Sequence, residues 1–466
     1  MRTRSIPNGI SREEAAAEVL ARWEKEHPSL RRALHLFAEE NDVKEWQIRT
    51  AIHSLVFETV RRLNTLDWIL NAVLKQSTVN DLDPMTRNVL RVAAYLILFG
   101  NAVPALVTNE AVSIVKRRRN TRVAGFCNAV LRKVQSLNLD ELLEALPEPG
   151  RTAFKLSVPP WLLEYGERLL GAEEASAFFA TGLQNPPVYV RVNTLLAGVD
   201  ETVQDLVNEG FRCNSAPGIP EVLKLERGAK PVTHAASYLK NAIYIQSLAS
   251  ALVSRVIAPP PDAIIVDFCA APGSKTSHLA QLMQNQGTIV ALDNAPPRAR
   301  ELQRNLLRLG VRDSHVILAS GFGPPFRPAF HADYVLVDPP CSNTGVIQTR
   351  PEVKWSITPE RIERIQRIQT RLLNNGSDLV APNGYAIYST CSITLEENEH
   401  LVRDFLAAHP DFKLSPTDPC LGTTGFGDCS QCQRLFPHRH YTEGFFIAKL
   451  HRKGSPLGSA KGSRAD

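Results

Sequence analysis

The 466-residue chain predicts three consecutive folded parts: an all-α bundle, a small α+β module, and an α/β domain on a parallel sheet. Three observations carry that division. Helical periodicity runs through the first third without strand alternation. A proline-punctuated, mixed stretch follows. After Pro259-Pro260-Pro261, near-continuous apolar strands alternate with helical segments, the pattern of a parallel sheet covered on both faces. The length allows two to four domains at ~100–200 residues each. The expected parts are 1–147, 148–255 and 256–452, with a Gly/Ser/Lys-rich tail at 453–466 expected to be disordered.

The bundle opens on Ser11, an N-cap candidate, with Glu13 and Glu14 in the first turn and apolar residues at helical spacing through Leu20 and Trp23. Further helical runs cover Ile48–Leu63, Leu66–Leu74, Pro84–Leu98, Thr108–Lys116 and Val123–Leu137. Leu146-Pro147-Glu148-Pro149-Gly150 breaks the pattern and marks a boundary. Between Arg151 and Ser254, Pro159, Pro160, Pro186 and Pro187 interrupt the chain, and a strand at Val188–Val192 precedes a helix at Thr202–Asn208. The α/β part predicts strands at Ala263–Phe268, Thr288–Asp293, His315–Ala319, Tyr334–Asp338 and Tyr385–Thr390. A late strand at Glu443–Leu450 has no helix after it and suits an antiparallel last position.

Composition narrows the class. A 44% hydrophobic, 22% charged chain has the apolar content of a globular protein, which excludes global disorder. No run of about 18 apolar residues is present, so no membrane span is expected. Met1–Ile10 lacks an apolar signal core, so a cytoplasmic location is expected. Eight cysteines in this length do not make a disulfide framework. The formal charge of +5 is compatible with an anionic partner and decides nothing alone.

The run Asp267-Phe268-Cys269-Ala270-Ala271-Pro272-Gly273-Ser274-Lys275-Thr276 joins the first strand to a helix. Small residues let a ligand approach the backbone there, and the helix start supplies free N–H donors. It is not a phosphate-binding P-loop, because Ser274 separates Gly273 from Lys275 and the earlier glycine is missing. It is not a dinucleotide fingerprint, because Gly273 stands alone. Asp293 ends the second strand, where a carboxylate can accept from both ribose hydroxyls. That pairing suits a nucleoside without pyrophosphate, such as S-adenosylmethionine; the competing reading is an ordinary strand–turn–helix with an exposed aspartate.

Two cysteines follow two strands: Cys341 in Asp338-Pro339-Pro340-Cys341-Ser342, and Cys391 in Ser389-Thr390-Cys391-Ser392. A lone cysteine is more often a small buried hydrophobe, but neighbouring strands would bring both thiols to the cofactor crevice. Methyltransferases acting on exocyclic amines carry a similar acid-Pro-Pro turn followed by an aromatic residue. Cys341 takes that place here, which points to a target needing covalent activation. C5 of cytosine is such a target. A thiolate adding to C6 loads electron density onto C5, a carboxyl such as Asp338 can serve N3, and a second thiol can assist release. The nucleophile is expected to have a depressed pKa, and its base must be unpaired or flipped.

Taken together, Asp267–Thr276, Asp338–Ile347 and Tyr388–Glu399 resemble the RNA cytosine-C5 methyltransferases in wording, order and spacing. The nearest resemblance is to the bacterial small-subunit rRNA enzymes of the Sun/Fmu type. Thr108–Val112 and Phe126–Leu131 resemble the NusB-like domain that these carry, and Arg191-Val192-Asn193-Thr194, Lys354-Trp355 and Arg434–His440 match further. The resemblance implies a NusB-like helical domain, an α+β RNA-recognition module and a Rossmann-like class I methyltransferase domain. It implies Cys391 as nucleophile, Cys341 in product release, Asp338 in catalysis and cofactor binding, and S-adenosylmethionine contacts at Cys269, Ala270, Ala271, Pro272, Gly273, Ser274, Lys275 and Asp293. It implies a monomer acting on structured RNA, with small-subunit rRNA as the expected substrate and tRNA as the alternative. One departure stands out. The family commonly has an aspartate past the third strand on the adenine side, where this chain reads Leu318-Ala319-Ser320-Gly321-Phe322-Gly323. Ser320 is the candidate substitute. Ser274 also replaces a commoner glycine.

Between Glu110 and Lys133 stand seven basic residues and one acid, with Lys116-Arg117-Arg118-Arg119 the densest cluster. Arg300, Arg304 and Arg308 share a helix face, as do Arg361, Arg364, Arg367 and Arg371, interleaved with Glu360 and Glu363. These stripes either track phosphates or are solvated helix faces. Cys420, Cys429, Cys432, His438 and His440 raise a zinc reading through Cys429-Ser430-Gln431-Cys432, but a second well-spaced pair is missing, so no metal is expected. A non-catalytic RNA-binding factor with a decayed methyltransferase domain is the competing class; intact cofactor-loop and cysteine motifs weigh against it.

Overall fold

The computed structural model describes residues 9–454 except 28, 75, 227 and 229. The tail expected to be disordered lies, beyond Gly454, outside the described residues, as do the first eight positions. The chain divides into two compact units: Met1–Asn185 with Ile347–Ser356, and Pro186–Val346 with Ile357–Asp466. No helix among the described residues is long and apolar enough to cross a membrane.

The first unit is helical. Helices α1 (Arg12–Glu26), α2 (Leu30–Glu40), α3 (Trp46–Arg61), α4 (Leu63–Val73), α5 (Pro84–Leu98), α6 (Pro104–Arg118) and α7 (Thr121–Gln135) surround one apolar core that includes Leu20, Val56, Leu66, Leu90 and Leu131. Ser11 caps α1 by accepting from Glu14 N–H at 3.3 Å. The Leu146–Gly150 break separates α8 (Leu139–Glu144) from α9 (Gly150–Leu156) without ending the unit. Helices α10 (Pro160–Leu170) and α11 (Ala172–Thr181) continue it, because α9 docks on α4. Thr65 Oγ1 donates to Phe154 O at 2.5 Å, and Trp68 stacks on Phe154 at 4.7 Å. The late segment Ile347–Ser356 is anchored in the same unit. Lys354 is 1% exposed and donates to Arg61 O at 2.9 Å and Ser157 O at 2.7 Å, and Trp355 Nε1 donates to Val60 O at 2.8 Å.

Side-chain pairing favours the structural reading of Lys116–Arg119 over phosphate tracking. Glu14, buried in α1, accepts from Arg117 at 2.6 Å and Arg118 at 2.5 Å; Glu18 also pairs with Arg118, and Arg119 meets Asp83 at 2.5 Å. Three of the four cations are thus matched by acids from α1 and the start of α5, about 35 to 105 positions away in sequence.

The second unit begins with an antiparallel sheet of β1 (Val188–Val192), β2 (Cys213–Ala216), β3 (Ile219–Leu225) and β4 (Ile243–Ile245) in the order β2-β3-β1-β4, with helices α12 (Val199–Asn208) and α13 (Ala236–Leu239). Helix α14 (Leu248–Ile257) leads into the larger sheet. There β5 (Ile264–Asp267), β6 (Thr288–Asp293), β7 (Ser314–Leu318), β8 (Ala332–Val337) and β9 (Val380–Thr390) are parallel in the order β9-β8-β5-β6-β7. Helices α15 (Ser274–Leu282), α16 (Pro296–Arg308), α17 (Pro359–Ser377) and α18 (Glu399–Ala408) alternate with them. Beyond β9 the sheet continues through β10 (Phe412–Ser415), β11 (Thr423–Thr424), β12 (Gln433–Leu435) and β13 (Phe445–Arg452), and β13 runs antiparallel to β9 as expected for a strand with no crossover helix. The chain moves from β5 outward to β7, then returns to the other side of β5 as β8. The loops after β5 and β8 therefore part at a topological switch point, where open α/β sheets bind ligands.

Candidate active site

Four strand ends deliver the expected side chains to this edge: Asp267 and the Cys269–Gly273 turn from β5, Asp293 from β6, Asp338 and Cys341 from β8, and Cys391 from β9. Gly273 holds φ +100°, and a Cβ there would meet Leu302 Cδ1 at 2.8 Å, so a larger residue is excluded by backbone and packing together. The turn carbonyls point into protein: Arg298 Nη2 donates to Ala271 O at 2.9 Å and Asn305 Nδ2 to Pro272 O at 2.8 Å. Asp293 is 4% exposed, accepts from Ala295 N–H at 3.1 Å and meets Arg298 at 3.0 Å.

Asp267 is 1% exposed. Its Oδ2 accepts from Thr276 Oγ1 at 2.7 Å, while Oδ1 has no partner. Burial lifts this carboxyl to about 7. An orphaned acceptor in the turn, with a carboxylate at the next strand end, fits a nucleoside cofactor bearing amino and hydroxyl donors. Cys269 is a neighbour rather than a reactive thiol, its pKa raised by burial and by Asp267, Asp338 and Asp293. Ser320, offered for the missing adenine-side aspartate, is exposed and accepts from Phe322 N–H within its own turn at 3.2 Å.

The small sheet fixes the cofactor helix. Arg191 on β1 is fully buried; it donates to Ser274 O at 2.7 Å and Ser277 Oγ at 2.8 Å, and it also meets Gln246 Oε1. Asn193 accepts from Gln281 Nε2 at 2.7 Å and donates to Leu309 O at 3.0 Å. Glu221 on β3 meets His278 at 2.8 Å and pairs with Arg255. Helix α15 is thus held along its length by β1 and β3. Arg191→Met is expected to weaken S-adenosylhomocysteine binding about tenfold or more in titration calorimetry, with Arg191→Lys failing to rescue because one ammonium cannot reproduce the planar fork. Unchanged affinity in both variants contradicts this role.

The two cysteines meet. Their sulfurs lie 2.7 Å apart, and Cys391 Sγ donates to Asn343 Oδ1 at 3.2 Å. Asn343 adopts φ +60° and its amide closes back on Cys341 O at 2.9 Å. Gly345 N–H donates to Cys391 O at 2.9 Å, and a Cβ on Gly345 would strike Gly444 O at 2.1 Å; the two loops approach this closely because both contact residues are glycine. Beside the thiols, Asp338 accepts from Lys275 Nζ at 2.5 Å and Ser389 Oγ at 2.7 Å. Burial acts to lower the Lys275 ammonium, but Asp338 outweighs it and holds the pKa above the ordinary value.

The protein's own groups do not supply the depressed thiol pKa expected of the nucleophile, which leaves the sulfonium of the methyl donor as its source. Cys391 does not show a depressed pKa; it is raised well above the usual thiol value by its hydrogen bond with Cys341, then by burial, then by the charges of Cys341, Asp338 and Glu443. The Cys341 contact, burial and the nearby acids together favour the thiol over the thiolate and outweigh the Lys275 ammonium.

Other sequence candidates find structural employment. Arg434 donates to Glu399 Oε1 at 2.6 Å and Ile393 O at 2.9 Å, and His440 Nδ1 accepts from Phe436 N–H at 2.8 Å. Cys429 and Cys432 are buried, whereas Cys420 is exposed; no group of three or more His, Cys, Asp or Glu among the described residues is placed to hold a metal ion. Arg308 reaches Asn241 Oδ1 at 2.8 Å, and Arg371 lies over Phe322 at 4.5 Å. Sequence reasoning did not single out Asp267, Asn343, Gly345, Gly444 or Glu397. All but Gly444 stood inside the quoted motifs, and Gly444 stood in the predicted last strand; the signal was present but lacked a partner to explain it.

Comparison with known proteins follows this geometry. The family description "16S rRNA methyltransferase RsmB/F" matches residues 254–451, "NusB family" matches 11–136, and the "Methyltr_RsmF/B-like, ferredoxin-like domain" matches 158–233. The chain is 30% identical over 409 residues to a probable ribosomal RNA small subunit methyltransferase B of Synechocystis, covering 85% of this chain and 90% of that one. It is 33% identical over 298 residues to the 25S rRNA (cytosine-C(5))-methyltransferase nop2 of Schizosaccharomyces pombe, covering 61% and 49%. The crystal structure of PH0851 superposes with a TM-score of 0.81 at 30% identity, covering 95% and 99%. With its NusB-like helices, ferredoxin-like module and cofactor edge, the chain belongs to the RsmB/F family and is an S-adenosylmethionine-dependent rRNA methyltransferase.

Proposed function

We propose that the protein methylates C5 of a cytosine in small-subunit rRNA through a transient bond between Cys391 Sγ and C6 of the base. The observation that carries this reading is the pair of thiols 2.7 Å apart at the ends of neighbouring strands, next to Asp338. Cys391 gives up its thiol proton to solvent when the positively charged methyl donor is bound; the thiolate adds to C6, and the C5=C6 electrons move toward C5. Asp338 serves N3 as the hydrogen-bonding group, with a proton passed to it from the Lys275 ammonium that donates to its carboxylate at 2.5 Å. Bound S-adenosylmethionine supplies the electrophilic methyl group; the Cys269–Lys275 turn, Asp293 and Asp338 are the residues that would hold it. Cys341 loses its own proton to solvent once Cys391 is bonded to carbon, and then takes the C5 proton. The C5–H electrons restore the C5=C6 bond, the S–C6 bond breaks, and Cys391 is returned as thiolate while the proton leaves on Cys341.

The division of labour follows the expected parts: 1–147 and 148–255 position a structured RNA, and 256–452 performs the chemistry. The enzyme works as a cytoplasmic monomer. The matched cations of Lys116–Arg119 weaken the case for that cluster as the main phosphate track. Bisulfite sequencing of total RNA from a strain lacking the protein is the direct test. One small-subunit rRNA cytosine is expected to lose protection and regain it on complementation. Loss confined to tRNA selects the alternative substrate, and no change at any cytosine refutes the reaction.

A further inference from the structure

Glu397 is a fully buried carboxylate that the chemistry above leaves unused. Its Oε1 accepts from Ser342 N–H and Gln369 Nε2, both at 2.8 Å. Its Oε2 accepts from Ser392 Oγ at 2.6 Å and Thr394 Oγ1 at 2.8 Å. Ser342 adjoins Cys341, and Ser392 adjoins Cys391, so one side chain grips both cysteine turns. Gln369, on α17, also donates to Pro340 O at 3.0 Å, which holds the backbone on the other side of Cys341. Behind Glu397, Asn398 accepts from Thr390 Oγ1 at 2.6 Å and donates to Ser392 O at 3.0 Å, closing the Cys391 turn on itself. A carboxylate with four donors is fully satisfied, and a satisfied buried network resists displacement.

We propose that Glu397 is a positioning residue that sets the separation of the two thiols and thereby the rate of product release. The inference rests on the reading of Cys391 as nucleophile and Cys341 as the base. Once Cys391 is bonded to C6, the proton to be removed sits on the adjacent ring atom, and Cys341 must be held within reach of it. Misplacing a reacting group by ~1 Å costs on the order of a hundredfold in rate. No covalent link joins the turns, which lie 50 residues apart in sequence; the bridge through Glu397 substitutes for one. Methyl-donor binding is not expected to depend on it, because the cofactor turn is held separately by Arg191, Arg298 and Asn305.

The test compares Glu397→Asp with Glu397→Gln in the full chain. Glutamine keeps the length: its oxygen can accept from Ser342 N–H and its amide can donate to the Ser392 and Thr394 hydroxyls, which can rotate to accept. Aspartate is one methylene short and cannot span both turns. Glu397→Gln is expected to keep kcat within about threefold, whereas Glu397→Asp loses about 10- to 100-fold in kcat. In the aspartate variant the KM for S-adenosylmethionine is unchanged, and a protein–RNA adduct accumulates on denaturing gels. A role confined to stability lowers the melting temperature without accumulating adduct. Normal turnover in Glu397→Asp, or slow turnover without adduct, overturns the proposal. Should Glu397→Asp not fold, Thr394→Val, which removes one donor to Oε2 and leaves the direct Ser342–Ser392 hydroxyl contact in place, is expected to accumulate the same adduct, and its failure to do so is equally decisive. Cys391→Ala run alongside separates the readings: methyl transfer by that variant refutes the nucleophile, whereas an inactive Cys391→Ala beside an adduct-free Glu397→Asp refutes the clamp alone.

Discussion

Cys391→Ala is expected to reduce methyl transfer to RNA by roughly a thousandfold or more, with S-adenosylhomocysteine binding and melting temperature unchanged. The loss follows from the chemistry of C5, which has little electron density to offer until C6 is attacked. No other thiol can take over: the backbone on either side of Cys341 is held by Glu397 and Gln369, and Cys269 is kept protonated by burial and by the charges of Asp267, Asp338 and Asp293. The raised pKa of Cys391 sharpens the expectation. Its neighbours Asp338 and Glu443 oppose ionisation, so thiolate forms only when other charges enter the site. Transfer of labelled methyl groups to total RNA checks this directly. Ordinary turnover in the alanine variant removes Cys391 from the reaction.

Cys341→Ala has the opposite signature. The first thiol still attacks and the methyl group still arrives, but the C5 proton has no base within reach. Turnover is expected to fall about a hundredfold or more, with a protein–RNA species surviving denaturation and carrying label from the methyl donor. The expectation follows from the two thiols being in direct contact at the ends of neighbouring strands. A base placed anywhere else would leave Cys341→Ala turning over normally, with no trapped band.

Much of this was readable before any fold was known. Cys341 and Cys391 sat at the ends of predicted strands, and those strands are neighbours in register, Tyr334 opposite Tyr385 and Val337 opposite Tyr388. Asp293 ended a strand where a ribose carboxylate belongs. Glu397 was legible only as one acid in a run of three, since Glu396, Glu397 and Glu399 look alike in a string. The fold sends Glu397 to the thiols and Glu399 to Arg434. Arg191 stood in the sequence only as part of a short matched motif, with nothing to show that it is buried against α15. The sequence left Lys116–Arg119 open between phosphate tracking and a structural role because Glu14, which pairs with two of its arginines, lies about a hundred positions earlier.

The chain's own order of residues determined which segments are helices and strands, where the small-residue turn after the first strand of the large sheet falls, and which side chains carry the thiols and carboxylates that the proposed reaction needs. Those properties depend on neighbours three, four or two positions apart, and on motifs a few residues long. Only the tertiary structure decided which acid neutralises which base, which carboxylate grips two distant turns, and whether a thiol is favoured as thiol or thiolate. Pairing energy, burial and local charge are set by groups tens to hundreds of residues apart, and no local period encodes them.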